Sequence, residues 1–360
     1  MKHKSIKNVN NNVTKKVCVL FFLLNFALSQ EKLELKQADS LSSKEQNSET
    51  ITILKGNIIF QKGDTFLSGD KAIQSNKNSQ LKLYDNVKVD DKNNTIFCDS
   101  LFYDIEQEQI ELLGSVTIKN ENQLITADKG LINNIDGKIK LLKNGKILNQ
   151  NQIVRGDLIE IFSNKNKIES LKVYENGIII SENTGYEKDK NNQNQLIINQ
   201  DILKAEVIEL KINENEISEI ELIGMASSFI HLYEDSLYQG TNEISGDKII
   251  LKLINNNATE LFSTGGVIGQ FIPSTSNTSG QEKVDYKAAR VQFDTNSRSS
   301  KMYGKANIIQ IGMDLKAAQI NIDWKSNILE AFHKNLYDKE EELEPTLIEK
   351  GREPVSGKSM

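Results

Sequence analysis

At 360 residues the chain is long enough for one large domain or two ordinary ones, and its 38% hydrophobic and 26% charged residues describe a folded chain compatible with water. A net charge of −6 makes nucleic acid a poor partner. One of the two cysteines, Cys18, lies in an N-terminal apolar run, so Cys98 has no partner for an internal disulfide.

In chain order, Lys2, Lys4, Lys7, Lys15 and Lys16 precede the apolar run Val17 to Leu24, which Phe26, Ala27 and Leu28 extend. The run is too short for a membrane span, and Ala27-Leu28-Ser29 fits a small-x-small cleavage site before Gln30. Residues 1–29 are therefore expected to be a cleavable secretory signal. Its removal takes away five lysines and no acid, moving the charge from −6 to −11. The sequence thus predicts an exported protein of the periplasm, with association with the outer membrane as the further option. Residues 30–49 are polar and without period, and read as a flexible leader.

From Thr50 a two-strand unit recurs. The aspartates Asp70, Asp99, Asp128 and Asp157 are each 29 residues apart, and so are the reference positions Gly56, Asp85, Gly114 and Lys143. Two residues before each reference stand Leu54, Leu83, Leu112 and Leu141. Two and four after it stand Ile58 and Phe60, Val87 and Val89, Val116 and Ile118, then Gly145 and Ile147. Alternate positions of an extended strand share one face, so each strand has a buried side and a wet side. In the second strand the small residues Gly69, Cys98, Ala127 and Gly156 precede the aspartates, and the buried parity changes there. A bulge or corner does this. Asp70, Asp99, Asp128, Asp157 and the later Asp247 are accordingly expected to be structural bend residues, their carboxylates accepting backbone N–H bonds.

Further along the units lengthen. Asn176 to Gln200 holds a polar insertion, with Leu203-Lys204-Ala205-Glu206 a candidate copy of the second strand's small-acid element. Ile220 to Gly224 and Gly246-Asp247 restore one unit, Gly265-Gly266 and Lys287 to Arg290 a second, and Gly304 with Leu315 to Ala318 a third. An acidic segment, Asp338 to Glu344, leads to Ser356-Gly357-Lys358, which reads as the start of a further, truncated unit.

Chemistry is sparse. Calcium needs several converging oxygens, which one aspartate per strand does not supply, and Ala289 and Ala318 replace the aspartate in later copies. His231 and His333 stand far apart and outside metal-ligand spacing, and Cys98 occupies a column of small residues. The expectation is a non-enzymatic protein without metal or cofactor. The apolar stripe can be a dry core or the lining of a lipid groove, and periodicity leaves both open.

Gly56-Asn57-Ile58, Asp85-Asn86-Val87 and Gly114-Ser115-Val116 end the first strands. Gly69-Asp70-Lys71-Ala72, Ala127-Asp128-Lys129-Gly130 and Gly246-Asp247-Lys248-Ile249 mark the second. Together, over residues 50 to 334 with interruptions, they resemble the OstA-like (organic solvent tolerance) N-terminal domain family of the lipopolysaccharide-transport system. That family includes the periplasmic bridge protein and the periplasmic domain of the outer-membrane translocon. The resemblance implies an all-β fold, an elongated open β-jellyroll whose interior carries acyl chains. It implies lipopolysaccharide or a similar lipid as ligand, and no nucleic acid. It further implies other β-jellyroll bridge components, joined by edge-strand addition, and the outer-membrane translocon as partners. The candidate lipid contacts are Leu54, Ile58, Phe60, Leu83, Val87, Val89, Leu112, Val116 and Ile118. The chain is about twice the length of one bridging jellyroll, so two in tandem are expected, at 50–210 and 211–337, with 338–360 the acidic segment and further unit. The alternative is a structural or adhesive β-repeat protein with a dry core, contacting glycan through the insertions Thr184 to Asn199 and Ile272 to Gly280.

Overall fold

The computed structural model describes residues 32–357 apart from 47–48, 76–78, 165–166, 190, 215, 255–256, 275–281, 327 and 338–341. The expected signal, residues 1–29 with Cys18, lies outside the described residues. Twenty-one strands follow in chain order, and the described residues contain no helix. They are β1 (Glu34–Gln37), β2 (Ser40–Gln46), β3 (Glu49–Lys62), β4 (Thr65–Ser75), β5 (Gln80–Asp90), β6 (Thr95–Asp104) and β7 (Gln109–Lys119). Next come β8 (Gln123–Asn133), β9 (Lys138–Asn149), β10 (Gln152–Asn164), β11 (Lys167–Lys188), β12 (Asn194–Asn213), β13 (Glu216–Glu234) and β14 (Leu237–Ile254). The last are β15 (Asn257–Pro273), β16 (Val284–Asp294), β17 (Ser299–Gln310), β18 (Met313–Asp323), β19 (Ile328–Phe332), β20 (Thr346–Glu349) and β21 (Val355–Ser356).

All belong to one sheet, and from β3 to β19 each strand pairs antiparallel with the next. The ladder is unbroken at position 210/211, because β12 spans it and pairs with both β11 and β13. The hairpins are closed by short polar side chains that accept N–H bonds two to four residues on. Asp91 takes Asn93 and Asn94, Asn120 takes Asn122 and Gln123, and Asp294 takes Asn296 and Ser297.

Of the flexible leader expected over 30–49, Glu34–Gln37 and Ser40–Gln46 are instead edge strands of this sheet. β1 pairs with Ile59–Gln61 and β2 with Glu49–Lys55, so the two form one strand bent at Asp39. The Asp39 N–H donates to the Gly56 carbonyl at 3.0 Å. An edge strand held by backbone bonds needs no apolar side chains, and its residues are exposed, which is why no period marks it.

Every pairing from β3·β4 to β17·β18 shifts register at the same row. On each odd-numbered strand two consecutive residues there have positive φ: Gly56/Asn57, Asp85/Asn86, Gly114/Ser115, Lys143/Asn144, Glu175/Asn176, Gly224/Met225, Gly265/Gly266 and Gly304/Lys305. They oppose a single residue on the next even strand, namely Asp70, Asp99, Asp128, Asp157, Glu206, Asp247, Ala289 and Ala318 in turn. The extra residue thus sits on the first strand of each unit, while the parity change it causes is read on the second. The carboxylates receive amide side chains: Asn86 Nδ2 donates to Asp70 at 2.6 Å, Asn144 to Asp128 at 3.1 Å and Asn176 to Asp157 at 2.9 Å. The donors are side-chain amides where backbone N–H groups were expected.

This row divides each strand into two arms, and the arms form two layers. Layer A holds Ile58–Lys62 and its sheet neighbours, and layer B holds Glu49–Lys55 and its neighbours. A single sheet cannot bury a face unless it folds onto itself, yet Leu54, Leu83, Leu101, Leu112 and Leu141 are all 0% exposed. Side-chain contacts show the fold-over. Lys62, at the layer A end of β3, donates to Tyr103 Oη at 2.7 Å in layer B of β6. Glu234, at the layer A end of β13, meets Arg298 in the layer B turn after β16 at 2.9 Å. Both contacts join strands three positions apart, so the layers cross at a constant skew, as the twist of the sheet requires.

Candidate functional site

The inward side chains align across strands as well as along them. In layer B one row of register partners runs Leu41, Leu54, Ala72, Leu83, Leu101, Leu112, Gly130, Leu141, Ile159, Val173, Ile208, Leu222, Ile249, Ser263, Val291, Met302, Ile320, Ala331. In layer A the facing row runs Leu35, Phe60, Leu67, Val89, Ile96, Ile118, Ile125, Ile147, Val154, Ile179, Leu203, Ser228, Ile244, Gly269, Tyr286, Ile308, Leu315, Leu347. At ~4.8 Å between strands the lane spans roughly 80 Å.

The nine residues proposed as lipid contacts all sit in this interior. Leu54, Leu83 and Leu112 belong to the layer B row, and Phe60, Val89 and Ile118 to the layer A row. Ile58, Val87 and Val116 lie between those rows and the bend. All nine are 3% exposed or less, so the two layers are closed on each other here. At Gly130 the space a side chain would take is filled by its register partner: a Cβ there would stand 3.2 Å from Leu112 Cδ1. Cys98 shares the interior with these side chains, and burial pushes its thiol up to about 12.

A polar tie crosses the seam between the layers near the β1 edge. Lys62, 4% exposed, bonds Tyr103 Oη and Glu108 Oε1 at 2.7 Å each, and Tyr103 donates to Glu108 Oε2 at 3.0 Å. Burial, and then the Glu108 charge, drive the Tyr103 hydroxyl well above the usual phenol range, so it stays a donor. Lysine at this inward position was not singled out from sequence; its even-offset place after Gly56, in a column of Ile58 and Phe60, was the available signal.

Beyond β10 the character of the interior changes at the tips of layer A. β11 to β15 lengthen, and Ser181, Asp201 and Asn242 follow Ile179, Leu203 and Ile244 inward. Asp201 accepts the His231 N–H at 2.8 Å, lies 2.9 Å from His231 Nδ1, and takes Asn183 Nδ2 at 2.6 Å. His231 thus belongs to a half-buried polar cluster packed against Phe229 and Tyr238. His333 lies near the β18–β19 edge, where its carbonyl accepts the Leu343 N–H at 2.9 Å. Among the described residues no three His, Cys, Asp or Glu side chains converge as metal ligands would. A separate hollow of ≈ 500 Å³ lies on the rim of β5 to β9, between Gln80, Phe102 and Lys138, and none of the nine candidates lines it.

No curated protein matches the chain. A solved structure that resembles it is that of LptH, the LptA homologous periplasmic component of the conserved lipopolysaccharide transport device from Pseudomonas aeruginosa. The two are 14% identical, the likeness covers 30% of this chain and 80% of that one, and the TM-score is 0.26. The family model that matches is that of the OstA-like proteins, and it matches residues 30–172, from the edge strand β1 into the layer B arm of β11.

Proposed function

We propose that the protein is a periplasmic lipid conduit of the lipopolysaccharide-transport kind, holding acyl chains between its two layers. The observation that carries this reading is the pair of facing rows, apolar from the β1/β2 edge through β12 and interrupted beyond it by the buried Ser228 in layer A and Ser263 in layer B. An inner apolar face of this length is long enough to line a path for hydrocarbon from one sheet edge toward the other. The OstA-like match over 30–172 supports the same ligand class. The layers part to admit a chain along the seam that Lys62, Tyr103 and Glu108 tie. Each CH₂ taken from water contributes about 0.8 kcal/mol, so several acyl chains offset the loss of interlayer packing. Leu54, Phe60, Leu83, Val89, Leu112 and Ile118 are the contacts expected first, with Ile58, Val87 and Val116 beside the bend.

The close burial of all nine residues favours a second reading, a structural or adhesive β-repeat with a dry core. Purification from the periplasm without detergent, followed by native mass spectrometry, separates the two. The conduit retains lipopolysaccharide or a similar amphiphile in stoichiometric amount, and the dry repeat retains none.

A further inference from the structure

One strand edge inside the span of the sheet is left without a partner. β12 pairs with β11 along its whole outer part, from Asn194 to Gln200, but its ladder with β13 starts only at Ile202↔Phe229. Asp201 is engaged by His231. From Asn194 to Gln200 the backbone of β12 is therefore bonded on its β11 side alone, among the described residues. The side chains on the outward face of this edge are Leu196 and Ile198, 57% and 65% exposed, with Tyr186 the register partner of Leu196.

Exposed edges in monomeric proteins are guarded by charge, proline, bulges or shortness. The terminal edges here follow that rule: β1 and β2 carry Glu34, Lys36, Lys44 and Glu45, and β21 is two residues long. The β12 edge has none of these guards. Asn191 to Gln200 contains no charged residue, no proline and no glycine, which is the composition of segments that pair with their own kind.

We propose that the Asn194–Gln200 edge of β12 joins antiparallel to the same edge of a second copy of this chain. The segment is complementary to itself. With a two-fold axis at Ile197, Asn194 faces Gln200 of the other copy, Gln195 faces Asn199, and Leu196 faces Ile198. Aliphatic thus meets aliphatic at Leu196 and Ile198 without a like-charge contact, while the Asn199 and Gln200 amides keep their bonds to Tyr233 Oη and Glu182 Oε1 in their own chain. Such an interface is isologous and closes at two copies, unlike growth through the terminal edges. It is independent of what the interior carries.

Sedimentation of the full mature chain over a wide concentration range should give a closed dimer. Ile198→Lys, at a position exposed enough to leave the fold intact by circular dichroism, should give a monomer. Chains carrying Leu196→Cys and Ile198→Cys, mixed and oxidised, should form a mixed disulfide, and neither should do so efficiently alone. A wild-type monomer at every concentration, oligomers that survive Ile198→Lys, or absence of the mixed disulfide would each overturn the proposal.

Discussion

Gly114 has φ +72°, and a Cβ placed on it would run into the Asp99 carboxylate across the bend. Gly114→Val combines a left-handed backbone, which β-branched residues resist, with that collision, and should cost on the order of 2–3 kcal/mol in a denaturant titration. Asp99→Ala alone should cost under about 1 kcal/mol, since Ala289 and Ala318 fill the equivalent slots. In the double variant the collision is gone and the backbone strain remains, so part of the loss should return. Additive losses would contradict this geometry. Cys98 offers a test by pH. Its thiol ionises near 9 when unfolded and about 12 when folded, with burial the main cause. The unfolded chain therefore gains a charge first as pH rises. The stability due to the neutral buried thiol is complete below about pH 9 and is lost between about 9 and 12, by at most ~1.4 kcal/mol per pH unit. Denaturation midpoints of the wild type against Cys98→Ala should diverge in that window and run parallel below it.

At the scale of the element, the two-strand unit was legible because two signals repeat together: inward Leu, Ile and Val at alternate positions, and a small residue before an acid. Those signals hold at 29 residues from Gly56 to Asp157 and then lose their spacing, because β11 to β15 run to between 17 and 22 residues each. The left-handed pairs at Lys143/Asn144, Glu175/Asn176 and Lys305 were not legible, since lysine and glutamate do not announce positive φ. Glu206 in the acid slot was legible from the Ala205-Glu206 pair, whereas the edge strands β1 and β2 escaped because their exposed polar residues carry no period. The fold depends on the extra residue more than on any one apolar side chain. Leu112→Ala, at a fully buried position, should cost 2–5 kcal/mol and leave a folded protein. Deleting Ser115 should do more damage, because it removes the extra residue and the left-handed pair on which the bend of β7 against both β6 and β8 is built. Loss of the cooperative transition in the deletion, with Leu112→Ala still cooperative, is the expected result in thermal melts.

For the whole molecule, pattern alone gave one buried face per strand but could not say what covers it. The structure answers with the sheet's own second layer, crossing at a skew of three strands and tied by Lys62, Tyr103 and Glu108. The apolar rows are thereby turned toward each other along the sheet, and the question of function becomes whether hydrocarbon enters between them. Site-specific photo-crosslinkers at Phe60, Val89 and Ile118 face this interior, while Lys88, between Val87 and Val89, points to solvent. In cells making lipopolysaccharide, the account predicts crosslinks to that lipid from the three interior positions and none from Lys88. Equal capture at Lys88, or no capture at the three, would contradict it.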